Sequence, residues 1–189
     1  MKRLAVYCGS SLGVNPLYQE EAIKLGEMMA KENCGLVYGG GAFGIMGAIA
    51  DSVMKHGGSA LGVIPKFLDQ VEITHNDLTE LFVTENMPER KNKMYQLADG
   101  FIALPGGIGT MEELFEVYTW RQLKIHDKPI GILNINGYYD HLIAHIDHMV
   151  SEGFLQRKHT ELIFVRSEPG ALLNEMLKVI PGKEYSSTN

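Results

Sequence analysis

Residues 100–124 read GFIALPGGIGTMEELFEVYTWRQLK, and this stretch decides the fold. Residues 100–105 form an apolar run of strand length, Gly106, Gly107 and Gly109 form a turn, and residues 109–124 carry a helical pattern. A strand that enters a glycine turn and leaves it as a helix is half of a βαβ unit. The same grammar extends outward in both directions. RLAVYC, GLVYGGG, ALGVIP, a segment around 81–84, PIGILNI and TELIFV read as further strands. Between them lie helical patterns at 16–31, from GIMGAIADSVMKHGG, at 88–97, from YYDHLIAHIDHMVSEG and from PGALLNEMLKVI. In the first of these, Leu17, Ala22, Leu25, Met28 and Met29 fall at helical spacing, and Pro16 suits a first turn.

Strict alternation of this kind predicts an α/β fold of doubly wound, Rossmann-like type: a mainly parallel sheet with helices on both faces. One nucleotide-binding domain is expected over residues 1–180, followed by a polar tail at 181–189. Ligands in such folds bind beyond the carboxyl ends of the strands, which directs attention to the turns after Cys8, Tyr38, Ile64 and Leu104.

Composition narrows the partners. The 189 residues carry a formal net charge of −6, so no general basic surface faces a polyanion, and nucleic acid is not expected as a partner. Cys8 and Cys34 have no metal-type spacing and make no disulfide framework. Only four apolar residues precede Cys8 in MKRLAVYC, too few for a secretory signal, and no apolar run approaches the ~20 residues of a membrane span. The expectation is a cytoplasmic protein with reduced thiols and no membrane partner.

Two glycine turns and one hydroxyl-rich turn are candidates for a site. In YGGGAFGIMG, Gly39, Gly40, Gly41, Gly44 and Gly47 stand between a strand and a helix. They either pack helix on strand tightly, or let backbone N–H groups form a wall of a nucleotide pocket, Gly40 and Gly41 foremost. The spacing is neither the dinucleotide fingerprint nor a Walker A loop. In CGSS, Ser10 and Ser11 can bind phosphate or ribose, or satisfy their own turn. In PGGIGTMEE, Thr110 and Glu113 fit a capping box, with Thr110 as N-cap. That reading leaves three glycines and a proline unexplained, whereas Glu112 is accounted for by the helix dipole. Arg90 and Lys91 in MPERKNKM sit near a helix start, where cations are unfavourable unless one faces an anionic ligand.

Together, YGGGAFGIMG, MPERK and PGGIGTMEELFEVYTWRQLKIHDKP resemble the Lonely Guy (LOG) family of cytokinin riboside 5'-monophosphate phosphoribohydrolases, some of whose members have carried a lysine decarboxylase label. The resemblance runs from Cys8 to beyond Pro129. It implies hydrolysis of the N-glycosidic bond of an adenosine-type, N6-modified nucleoside 5'-monophosphate to free base and ribose 5-phosphate, without a cofactor or metal. It further implies Arg90 and Glu113 as catalytic residues. The implied substrate shell is Glu72, Lys91, Gly107, Ile108, Gly109, Thr110, Met111, Glu112 and Thr119. Pro88 stands where the family pattern has histidine. The family resemblance also implies a homodimer with its pocket near the subunit interface.

The chemistry agrees with that implication. Cleavage of the C1'–N9 bond builds an oxocarbenium-like ribose, which a carboxylate such as Glu113 stabilises, unless it acts as base toward water or anchors the ribose hydroxyls. Phosphate would rest on the amides of Gly107, Gly109 and Thr110, helped by Lys91. Two other functions compete: a non-catalytic nucleotide or cofactor carrier of the same fold, and a pyridoxal-dependent lysine decarboxylase, for which no lysine is marked. His141, His145 and His148 share one helix face beside Leu142, Ile146 and Met149, as a metal set or as a flank or interface.

Overall fold

The computed structural model describes residues 1–69, 75 and 77–181. In chain order the elements are β1 (Lys2–Tyr7), α1 (Leu17–Lys31), β2 (Cys34–Tyr38), α2 (Gly44–Lys55), β3 (Ala60–Pro65) and α3 (Lys66–Asp69). Next come β4 (Glu80–Thr84), α4 (Met87–Leu97), β5 (Gly100–Ala103), α5 (Ile108–Gln122), β6 (Ile130–Leu133) and a 3-10 turn (Ile135–Gly137). The chain closes with α6 (Asp140–Ser151), α7 (Arg157–Thr160), β7 (Ile163–Arg166) and α8 (Pro169–Val179).

The strands form a seven-stranded sheet in the order β4-β3-β2-β1-β5-β6-β7. Every neighbouring pair is parallel. All seven strand segments expected from the sequence are present, and the doubly wound fold is the one that forms. The short helices α3 and α7 carry no sequence signal, because four residues are too few to display a helical period.

Strand β1 shows how the two layers arise. Leu4 and Val6 point into a core shared with α1, α2 and α8, through residues such as Leu25, Ile49 and Leu172. Ala5 and Tyr7 point into the opposite core, which holds Met94 of α4, Leu114 and Val117 of α5 and Ile146 of α6. The alternation of side chains along a strand therefore splits one apolar run between two faces, and both faces are covered.

From β1 the chain winds outward through β2, β3 and β4; it then returns to lay β5 on the other side of β1 and continues to β7. The winding reverses between β1 and β5, paired in register as Tyr7↔Ala103. Beyond that reversal the two turns cannot fill the gap between diverging helices, and a crevice opens. The turns themselves touch: Gly9 N donates to Pro105 O at 3.1 Å, and Gly9 O accepts from Ile45 N at 3.1 Å.

Candidate active site

A cavity of about 290 Å³ lies beyond the carboxyl ends of β1, β2 and β5, at this reversal. The turn after β1 gives it Gly9 and Ser10, and Gly39 and Met46 come from the β2–α2 side. Met87 and Arg90 come from α4, and the run from Gly107 to Thr110 with Glu112 and Glu113 comes from the β5–α5 turn. Tyr7 and Cys8 end the central strand at its floor.

Helix α5 begins earlier than the sequence pattern indicates. Its N-cap is Gly107, with extended backbone (φ −90°, ψ −156°), and no side chain caps it. Thr110 is therefore inside the first turn and is 3% exposed, packed beneath Gly106, so the capping box expected of Thr110 and Glu113 does not form. Met111 N donates to Gly107 O at 3.2 Å. The amides of Ile108, Gly109 and Thr110 precede that first helical bond and have no acceptor within the helix. They sit at its positive end, facing the cavity. A Cβ added to Gly107 or Gly109 would meet nothing within 4 Å, and neither residue has a positive φ. The fold itself does not require glycine at either position; a close-approaching ligand would.

Arg90 resolves the oddity of a cation near a helix start. Its side chain leaves the helix end and lies against the carbonyls that finish β2 and β3. Nε donates to Val63 O at 3.0 Å and Nη2 to Gly39 O at 3.4 Å, while Nη1 contacts Met87 Sδ at 3.7 Å. A methyl group on Gly39 would fall on Arg90 Nη2 and within 3.0 Å of Met46 Sδ. The first of the three consecutive glycines thus makes room for a guanidinium that is only 8% exposed.

Helix α4 carries the side-chain N-cap that α5 lacks. Asn86 Oδ1 accepts from Glu89 N at 2.9 Å, and the Glu89 carboxylate accepts from Glu85 N at 3.1 Å and from Asn86 Nδ2 at 3.0 Å. Pro88 fits the first turn of the same helix.

Glu113 is half-buried and accepts no hydrogen bond from a described residue. Burial pushes its carboxyl up to about 7, against the pull of Arg90, with Glu112 and Glu116 adding to the rise. It therefore exchanges its proton near neutrality, which suits a carboxyl working in acid–base catalysis. Burial pushes the Cys8 thiol far above its ordinary range, which keeps it a thiol and not a nucleophile.

The cavity thus gathers Arg90, Glu113, Ser10, Gly107, Ile108, Gly109, Thr110 and Glu112 of the candidates drawn from the sequence. Lys91, Met111, Thr119, Gly40 and Gly41 are not among its lining residues. Lys91 turns to α5, where it bonds Glu112 and, at 2.9 Å, Glu116. Burial opposes its charge, yet the two carboxylates hold its ammonium above the ordinary lysine range. Lys91 is thus engaged with α5, and Glu112 has an ion-pair partner beyond the helix dipole. Gly40, at φ +81°, accepts from His75 N at 3.1 Å and serves the turn. Thr119 is exposed on α5, and Glu72 lies outside the described residues. Tyr7, Met46 and Met87 were missed. The end of the central strand of a doubly wound sheet was the available signal for Tyr7.

His141, His145 and His148 are exposed on α6, and among the described residues no three His, Cys, Asp or Glu side chains are grouped to hold a metal ion. No helix of the described residues is long and apolar enough to cross a membrane.

Comparison with known proteins finds likenesses at the level of family, of individual relatives and of fold. A family model described as "possible lysine decarboxylase" matches residues 46–176. Cytokinin riboside 5'-monophosphate phosphoribohydrolase LOG7 of Arabidopsis thaliana is 46% identical over 180 residues, 95% of this chain and 83% of its own length. A probable enzyme of the same name, LOGL2 of Oryza sativa subsp. japonica, is 43% identical over 97% of this chain and 75% of its own. The solved molybdenum cofactor binding protein of the phototrophic bacterium Rippkaea orientalis aligns at a TM-score of 0.73 and 20% identity, covering 95% of this chain and 98% of that one. At that identity the likeness concerns the fold alone.

Proposed function

Since the chain belongs to the family of cytokinin riboside 5'-monophosphate phosphoribohydrolases, we propose that it hydrolyses the N-glycosidic bond of N6-modified adenosine 5'-monophosphates. The products are the free base and ribose 5-phosphate, which makes it an N-glycosidase. The observation that carries this reading is the placement of free helix-start amides and a carboxyl titrating at about 7 in one cavity. The phosphate takes the amides of Ile108, Gly109 and Thr110. The ribose then faces Glu113, one helical turn further on, and the ionised carboxylate stabilises the positive charge that grows at C1'. Arg90, fixed on Val63 O and Gly39 O, keeps part of the Glu113 population ionised at neutral pH. A cavity of 290 Å³ is at the lower end of small-ligand sites, about 300 Å³ and up, and suits a mononucleotide better than a dinucleotide.

Thr119 stands outside the cavity of a single chain; in a homodimer it reaches the site from the interface, and the protein acts as such a dimer in the cytoplasm. A lysine decarboxylase is disfavoured by chemistry. No described lysine lines the cavity, and the nearest on α4, Lys91, is held as an ammonium between two carboxylates, the wrong state for a Schiff base. A carrier of the same fold would bind the nucleotide and leave it whole. Incubation with AMP and with isopentenyladenosine monophosphate, followed by chromatography, separates the two: release of base establishes the hydrolase, and recovery of intact nucleotide from a saturated complex establishes the carrier.

A further inference from the structure

One polar group in the cavity has no partner and no assigned part. Tyr7, at the end of β1, lines the cavity floor and is 4% exposed. Its hydroxyl makes no hydrogen bond with a described residue. The hydroxyl is not sealed in the core but opens onto the cavity, where a bound ligand is placed to be its partner. The ring cannot swing away to find one elsewhere. It stacks on Phe101 (6.1 Å between centroids, 10° between planes), and Phe101 stacks in turn on Tyr95 (6.0 Å, 8°).

Glu113 also opens onto this cavity without a hydrogen bond from a described residue. Among the charged groups around Tyr7 it exerts the largest influence, ahead of Glu116, Glu112 and Arg90. Burial first, and Glu113 second, hold the phenol well above its ordinary range, so it is a standing O–H donor. An ionised Glu113 is only an acceptor. A single group that satisfies both must accept from one and donate to the other. Phosphate only accepts and an ammonium only donates, whereas a hydroxyl does both. On a ribose whose C1' faces Glu113, the adjoining hydroxyl is the 2'-OH.

Resting on the proposed function above, we propose that Tyr7 is the residue that reads the sugar: its hydroxyl donates to the ribose 2'-hydroxyl, which in turn donates to Glu113. The site then prefers ribonucleotides to 2'-deoxyribonucleotides through Tyr7. It also holds the 2'-hydroxyl where a bond to the carboxylate strengthens as charge develops at C1'.

The test is Tyr7→Phe, which removes one oxygen and keeps the stacked ring. Calorimetric titration with ribose 5-phosphate and with 2-deoxyribose 5-phosphate avoids turnover. The native protein should favour the ribose compound by about tenfold, and Tyr7→Phe should reduce this to about twofold or less by weakening only the ribose compound. Base release from AMP and from 2'-deoxy-AMP should show the same selective loss in kcat/KM. Equal weakening toward both sugars would show that Tyr7 orders water or packing, and an unchanged preference would show that it does not touch the sugar; either result overturns the proposal. Calorimetry decides the matter even if native protein releases no base, an outcome that would refute the hydrolase alone.

Discussion

Glu113 is a carboxyl that the fold holds at odds with its own charge. Folded, it titrates at about 7; unfolded, near the ordinary glutamate value of about 4.3. An acid raised in this way favours folding in its protonated form, so stability falls as pH rises from the unfolded value through 7. Glu113→Gln removes that opposition. The variant should gain little at pH 4 and up to about 3 kcal/mol at pH 8, read by denaturant unfolding at both values. It should also lose base release by about a thousandfold or more, while the native rate climbs with pH through a limb near 7. A variant as active as the native protein would remove Glu113 from the chemistry. The glycines divide as sharply. Gly39→Ala would drive a methyl into Arg90 Nη2 and should impair both stability and turnover. Gly109→Ala meets no protein atom and improves helix propensity, so stability should hold or rise while affinity for ribose 5-phosphate falls about tenfold or more.

At the level of elements, the starts of two helices explain what was legible in the sequence and what was not. Strand β5, the glycine turn and α5 were plain in residues 100–124, because apolar run, glycine and helical period follow one another without interruption. The starting residue of α5 was misread. A threonine three residues before a glutamate imitates a capping box, and only packing reveals that Thr110 lies beneath Gly106. Asn86 with Glu89, the pair that does cap a helix, has the same three-residue spacing, and nothing in the local pattern sets it apart from the charged run that follows. The partners of those cations were beyond reach of local pattern. Arg90 bonds residues 27 and 51 positions away, and Lys91 bonds residues 21 and 25 away. Asn86→Ala should cost α4 about 1 kcal/mol, a fall in melting temperature of about 2–4 °C. Because α4 presents Arg90 to the cavity, base release should fray with temperature earlier than global unfolding in that variant.

For the molecule as a whole, the parallel strands and the long helices were readable because β2, β3, β5 and β6 are buried along their whole length and announce themselves as unbroken apolar runs, whereas the edge strand β4 is largely exposed. Strand order was not written in any one of them. It follows from which runs pair, and the pairing of β1 with β5 decides where the crevice opens. That pairing also sets an order in time. Residues 2–7 precede every other strand of the sheet in the chain, yet they become its centre and wait for residues 100–103 before their second edge is covered. Until then β1 can join only β2, and Tyr7 lacks the aromatic wall of Phe101. Joining partners so far apart in sequence is the slow part of assembling such a sheet. The pocket therefore waits for β5 and the start of α5: a chain that stops short of them holds no nucleotide, and ligand can reward only molecules in which β1 and β5 have already met.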